Sequence, residues 1–303
     1  MLKASIDLGT NTCLMLIAEV ESGAVNKVLA DHARIVRLGE GVDKKGYLQS
    51  DAMERTLTCM DEYRKIVSEV GISPMDVVCV ATSQARDAEN GMGFFAGVEK
   101  EYGFRFRVIS GQDEARLSFM GSLLPGMAPS SHAVVDIGGG STEFVTAKED
   151  RSVDLGSVRF TERYLISDPV IDEEFRVCLS EIDNKLEELV DWRCSIPANI
   201  QMLAVAGTAT TLASWHLGLR VFDAAEVENV KFTNQDLLRM VNNLKRMTVA
   251  ERREQAGIEP KRADVLLAGA MIMWRTMEKL DFQTCSVSSR GLRYGVLMGN
   301  NSI

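Results

Sequence analysis

The chain has 303 residues, a formal net charge of −9, 46% hydrophobic and 25% charged residues. That mixture describes a folded globular chain of about two domains, with enough surface to bury that no disulfide or structural metal is needed to hold it together. The acidic balance argues against a general nucleic-acid binder and leaves room only for a local basic cleft.

The six cysteines, at 13, 59, 79, 178, 194 and 285, form no CxxC pair, which excludes a zinc ribbon or a dithiol redox motif. Those inside apolar runs, such as Cys79, read as buried free thiols. The three histidines, at 32, 132 and 216, stand alone and exclude a His-rich metal site. An aspartate as early as Asp7, and no apolar run near the roughly 18–20 residues of a membrane span, predict neither a signal core nor a membrane segment. The expectation is a reduced, soluble, cytoplasmic protein.

Along the chain, residues 4–7 predict a strand, 8–12 a turn and 13–20 a second strand. A helix is expected over 51–70, with Met53, Leu57, Met60, Val67 and Val70 at helical spacing, Asp51 and Glu54 at capping-box spacing, and Gly71 as the stop. Strands are expected at 77–81 and 104–109, then a helix from near Gln112 to before Pro125-Gly126. Together with Pro129-Ser130-Ser131, that Pro-Gly is the candidate boundary. The second half opens with a strand at 133–137, a glycine turn and a strand to 145. An amphipathic helix over 171–193 presents Ile171, Phe175, Cys178, Ile182, Leu186 and Leu189 on one face. A strand over 201–205 leads into Gly207-Thr208-Ala209-Thr210 and a helix. Further helices are expected near 234–247 and 264–280, with a short one capped by Thr248 and Glu251 between them. A strand over 284–287, Gly291 and a final helix end the chain. Strands and helices alternate in both halves, which is an α/β pattern.

One turn occurs twice. Asp7-Leu8-Gly9 and Asp136-Ile137-Gly138 each follow an apolar strand, each is followed by a hydroxyl (Thr12, Ser141), and the two copies lie 129 residues apart. Glycine lets the backbone approach an anion and turn N–H groups toward it, so two such hairpins suit a phosphate chain gripped from both sides. An aspartate at the strand end suits Mg²⁺ or a metal-bound water. Three consecutive glycines before Ser-Thr-Glu exceed what a hairpin turn requires. Neither a Walker A pattern nor a GxGxxG is present, so P-loop and Rossmann readings have no support.

Further segments accompany the repeated turn: Arg37-Leu38-Gly39-Glu40-Gly41; Ala81-Thr82-Ser83-Gln84-Ala85-Arg86-Asp87-Ala88-Glu89-Asn90; Ser110-Gly111-Gln112-Asp113-Glu114-Ala115; Leu155-Gly156-Ser157-Val158-Arg159; Arg262-Ala263-Asp264; and Gly291-Leu292-Arg293. In this order and spacing the chain resembles the exopolyphosphatase/guanosine pentaphosphate phosphohydrolase family, within the superfamily of actin, sugar kinases and heat-shock chaperone ATPases. Three features depart from the family pattern. The acidic pair before Ala115 is Asp113-Glu114, Ala206 replaces the first glycine of a Gly-Gly-Thr-Ala-Thr loop, and the length implies a short form without extra C-terminal helical domains.

The resemblance implies an α/β fold of two actin-like (ribonuclease H-like) domains with an interdomain active-site cleft. Domain I would span 1–120 plus a C-terminal helix at about 293–303, and domain II 121–292. It implies release of terminal orthophosphate from polyphosphate or pppGpp, with Mg²⁺ or Mn²⁺. It assigns the general base to Glu114. The residues alone leave Glu114 open between that role and an ordinary first-turn acid favoured by the helix dipole, and leave Asp113 as the other carboxylate, better suited to the helix cap. Phosphate binding falls to Gly9, Thr10, Asn11, Thr12 and Arg86, and to Gly138, Gly139, Gly140 and Ser141. Asp136 is the first metal candidate, with Asp7 and Glu143 behind it. Arg37, Gly207, Thr208, Arg262 and Arg290 are further substrate-cleft candidates, and Arg293 belongs with these basic groups. Arg105, Arg107, Arg252 and Arg253 read as surface or locally paired arginines. The expected partners are the anionic substrates, without nucleic acid or membrane, and the reading is compatible with a homodimer. Two other classes remain open: an actin-like phosphotransferase (kinase), and a non-catalytic (p)ppGpp-binding regulator or filament protein.

Overall fold

The computed structural model describes residues 1–82, 85, 87–124 and 126–299. Arg86, assigned above to phosphate, and Pro125, assigned to the domain boundary, lie outside the described residues, as do Ser83 and Gln84.

The chain divides into two compact units: Met1–Gly121 with the C-terminal segment from Gly291, and Ser122–Arg290. Each is an α/β unit, and the fold is that of two actin-like domains. In the first unit, β1 (Leu2–Leu8), β2 (Thr12–Glu21) and β3 (Ala24–Ile35) form an antiparallel meander. Then β4 (Val78–Ala81) and β5 (Phe106–Val108) join parallel to β1, in the order β3-β2-β1-β4-β5. The second unit repeats the plan. Its strands β6 (His132–Ile137), β7 (Thr142–Val145) and β8 (Asp150–Val153) form the meander, and β9 (Gln201–Val205) and β11 (Thr284–Val287) run parallel to β6. A short edge strand, β10 (Lys231–Thr233), pairs antiparallel with β11. The register repeats as well: Asp7 lies opposite Leu14, and Asp136 opposite Glu143.

Parallel neighbours need crossovers, and the helices supply them. In the first unit, helix Ser50–Glu69 buries Cys59, Met60, Tyr63 and Val67 against one sheet face, where Ile6, Leu8, Cys13 and Met15 converge. Its start differs from the expectation. The N-cap is Gln49 with no side-chain cap bond, and Asp51 lies within the first turn, where a carboxylate still complements the positive helix end.

The other sheet face is covered by helices Gly111–Ser122 and Leu292–Met298, through Val80, Ile109, Leu117, Leu292 and Val296. These two helices touch backbone to backbone. A Cβ on Gly295 would collide with the Leu117 carbonyl, and one on Gly121 with Gly291 O and Gly295 N. Gly295→Ala is therefore expected to cost about 1–3 kcal/mol, the range for overpacking a close contact. Thermal unfolding of that variant checks the contact; an unchanged midpoint would deny it.

Arg293 is paired with an acid of its own unit. Its Nε and Nη2 donate to the two carboxylate oxygens of Asp31, each at 2.8 Å, and the residue is buried. Arg252 is also a correction. It is 2% exposed, and its guanidinium donates to the Leu244 carbonyl at 3.0 and 2.8 Å and to the Ala263 carbonyl at 3.3 Å. Arg105 pairs at the surface with Glu99 at 2.8 Å. The thiols behave as buried small apolar groups: burial pushes those of Cys178 and Cys285 up to about 12, and Cys194 alone is exposed among the six. No helix among the described residues is long and apolar enough to cross a membrane.

Candidate active site

In each unit the candidate residues gather at one sheet edge, because parallel strands end together. In the first unit, β1, β4 and β5 deliver the Gly9 hairpin, Thr82 and Ser110–Glu114 to their carboxyl ends, where open α/β sheets bind ligands. The hairpin is closed by Gly9 N–H donating to the Thr12 carbonyl at 2.9 Å. The Thr82 hydroxyl lies 4.0 Å from where a Gly9 Cβ would stand. Thr82 thus joins the hairpin, a role its sequence context did not single out.

The loop after β3 also packs on this hairpin. Gly39 N–H donates to the Thr10 carbonyl at 2.9 Å, and the Val36 and Arg37 N–H groups donate to the Asn11 carbonyl at 3.0 Å each. Arg37 adopts φ 51° to make that turn. The structure therefore brings Arg37 to the first hairpin. Asn11 is 6% exposed, and neither polar atom of its carboxamide has a hydrogen-bond partner among the described residues. A buried amide without a partner is costly, and its position beside the turn suits an oxyanion that accepts from its NH₂.

Glu114 and Asp113 both lie in the first turn of helix Gly111–Ser122, in different surroundings. The Ser110 hydroxyl accepts from Asp113 N–H at 3.1 Å and donates to the Asp113 carboxylate at 2.8 Å. Asp113 is thus a cap residue. Glu114, about 100° further round the helix, is 9% exposed. A first-turn acid serving only the dipole needs no such burial.

In the second unit, β6, β9 and β11 bring the Gly138 hairpin, the start of helix Ala206–Leu217 and Ser288–Arg290 to one carboxyl edge. The hairpin bond is the counterpart of the first: Gly138 N–H donates to the Ser141 carbonyl at 3.0 Å. Segment 155–159 wraps behind it. The Ser157 N–H donates to Gly138 O (3.0 Å), and the Val158 and Arg159 N–H groups donate to Gly139 O (2.9 and 3.1 Å). The Arg159 Nε–H donates to Gly140 O at 2.7 Å.

Asp136 and Glu143 are directly paired across β6 and β7, so both side chains leave the same sheet face. Glu143 is 1% exposed, and one of its oxygens accepts from the Ser152 hydroxyl at 2.9 Å. Like charges directly opposite each other are unfavourable, and a cation beside them offsets that. Hard carboxylate oxygens fit Mg²⁺, which is commonly held by one or two carboxylates plus water and substrate phosphate. No group of three or more acidic, His or Cys ligands occurs among the described residues. Asp7, in the other unit, faces Leu14 and has no equivalent carboxylate across the strand.

At the neighbouring strand end, the Arg262 guanidinium lies against Gly207, where a Cβ would collide with it. Ala206 takes φ 66°, a left-handed conformation that costs an ordinary L-residue about 1–2 kcal/mol. This explains why glycine is the residue expected there. Thr208 is buried in the first turn of the helix, and Arg290 follows β11 at the same edge.

A profile described as the Ppx/GppA phosphatase family matches residues 16–302. The chain is 35% identical over 285 residues to Exopolyphosphatase 2 of Mycobacterium tuberculosis, covering 89% of this chain and 88% of that protein. It is 35% identical over 290 residues to a bifunctional 3-dehydroquinate synthase/phosphatase of Fusobacterium nucleatum, covering 90% of this chain; it spans only 42% of that relative's length. The solved structure of the Aquifex aeolicus PPX-GPPA enzyme superimposes with a TM-score of 0.81 at 30% identity, covering 99% of both chains.

Proposed function

The chain belongs to the Ppx/GppA phosphatase family, and from that premise we propose that it hydrolyses the terminal phosphoanhydride of inorganic polyphosphate, of pppGpp, or of both. Each turnover adds one water and releases one orthophosphate, leaving a chain one phosphate shorter or ppGpp. The observation that carries the reading is the duplicated hairpin at the carboxyl edge of each sheet, with a buried Glu114 at one edge and the Asp136–Glu143 pair at the other.

Hydrolysis of this kind needs a positioned water, a group that takes its proton, and positive or N–H-rich surroundings for the developing charge. Glu114 accepts the proton from the attacking water. Asp113 is held by Ser110, and no histidine occurs in any of the motifs. Gly9, Thr10, Asn11 and Thr12, and Gly138, Gly139, Gly140 and Ser141, bind phosphate oxygens through N–H, hydroxyl and carboxamide groups. Arg37, Arg262 and Arg290 supply local positive charge in an acidic protein, and Arg86 is assigned the same part. Asp136 and Glu143 would hold Mg²⁺ or Mn²⁺, with Asp7 as the remaining candidate. When bound, the metal neutralises charge on the phosphate oxygens.

Orthophosphate release from long-chain polyphosphate and from pppGpp, each with Mg²⁺ and with EDTA, tests the reading. Release from at least one substrate, abolished by EDTA, is expected. Turnover of neither, with stoichiometric ppGpp binding instead, would favour a regulator, and turnover only with ATP plus an acceptor would favour a kinase.

A further inference from the structure

We propose that Arg159 is a positioning residue that sets the polarity of the second hairpin, acting through the Gly140 carbonyl; the proposal rests on the reading of that hairpin as a phosphate site. In a trans peptide the C=O and the next N–H point in opposite directions, and Asp168-Pro169 is the cis bond among the described residues. Three consecutive carbonyls, of Gly138, Gly139 and Gly140, are drawn to one side by segment 157–159. The N–H groups of Gly139, Gly140 and Ser141 are thereby turned to the other side. None of the three donates to a protein acceptor among the described residues. Successive N–H groups aimed one way form an anion-binding concavity.

Backbone donors fix the first two carbonyls, and the Ser157 hydroxyl adds a 3.2 Å bond to the first. The backbone donors are the orphan N–H groups at the start of helix Ser157–Tyr164, which has no side-chain cap. The third carbonyl depends on a side chain, the Arg159 Nε–H at 2.7 Å. The segment can lie this close because residue 156 is glycine: a Cβ there would collide with backbone atoms of Gly139 and Gly140. Arg159 is itself held in place, with its side chain 12% exposed and Nη2 3.7 Å from Asp154.

The duplicate half carries the same device by other means. There the Thr10 and Asn11 carbonyls are drawn to segment 36–39, and both donors to Asn11 O are backbone N–H groups. The Gly140 carbonyl is held by a side chain where the Asn11 carbonyl is held by backbone, so the affinity of the second hairpin can be tuned at one position.

The test uses Arg159→Met, which keeps bulk without a donor, and Arg159→Gln, which is neutral but keeps an N–H. KM and kcat for tripolyphosphate with Mg²⁺ are measured alongside thermal unfolding. Arg159→Met is expected to raise KM about tenfold, the scale of a lost hydrogen bond to a charged group, with kcat within about threefold. Arg159→Gln should recover most of that loss at a similar unfolding midpoint. Equal losses in both variants would mean that charge alone matters, and no change in either would mean no role; both overturn the proposal. If Arg159→Met shows no cooperative unfolding, Arg159→Leu, which also lacks a donor, takes its place: a rise in KM of about tenfold for Leu that Gln largely recovers supports the proposal, and equal values in Leu and Gln overturn it. Titrating ¹⁵N-glycine-labelled protein with orthophosphate isolates the premise. Unmoved Gly139 and Gly140 amide signals would remove the hairpin reading itself. Moved signals with a wild-type-like Arg159→Met would remove only the positioning role.

Discussion

Glu114→Gln is expected to lower kcat by about 10²–10⁴-fold, the usual contribution of a general acid–base group, while substrate binding changes little. The amide keeps the size and hydrogen-bonding reach of the carboxylate and removes its basic site. Glu114 is buried one residue beyond a cap that Asp113 already forms with Ser110. A capping role for Glu114 predicts a different result, namely loss of under about 1 kcal/mol of stability with near-normal turnover. Steady-state kinetics and thermal unfolding of one preparation separate the two. Turnover within a few-fold of wild type would take the base assignment from Glu114.

Asp136→Ala is expected to lose most activity, on the order of 10²–10³-fold, because half of the carboxylate pair that suits a divalent cation is gone. The variant should keep its fold, because the hairpin is held by backbone bonds such as Gly138 N–H to the Ser141 carbonyl, and thermal unfolding in EDTA checks this. The midpoint should also lose its dependence on added Mg²⁺, since a ligand that binds only the native state stabilises it. A variant that keeps both activity and the Mg²⁺-dependent shift would remove Asp136 from the metal site.

The sheet-forming core was legible in the sequence wherever burial imposed a pattern. Strands β9 and β11 lie where their apolar runs placed them, and the short helix after Thr248 has the capping box that Thr248 and Glu251 predicted. Strand β3 carried no such signal. It is an edge strand, largely exposed, and its Asn26, Lys27, Asp31 and Arg34 leave no alternation to read. Helix Gly91–Tyr102 was also hidden, because three glycines within it depress helix propensity. The site was legible as two hairpins and a handful of motifs, but not as geometry. Glu143 was read as secondary to Asp136, whereas the strand register makes the two an opposed pair. In one dimension Arg252 looks like a surface cation and Arg293 like a cleft cation, yet Arg252 folds back onto the Leu244 and Ala263 carbonyls and Arg293 onto the carboxylate of Asp31, 262 residues away. The part of Leu155–Arg159 became visible only once the carbonyls of the hairpin could be followed to their donors.

The central claim is that water attacks the terminal phosphorus. Turnover of polyphosphate in ¹⁸O-labelled water, followed by mass analysis of both products, tests it most directly. The account predicts one ¹⁸O in each orthophosphate released and none in the shortened chain. Label in the chain end, or release of orthophosphate without label, would contradict it.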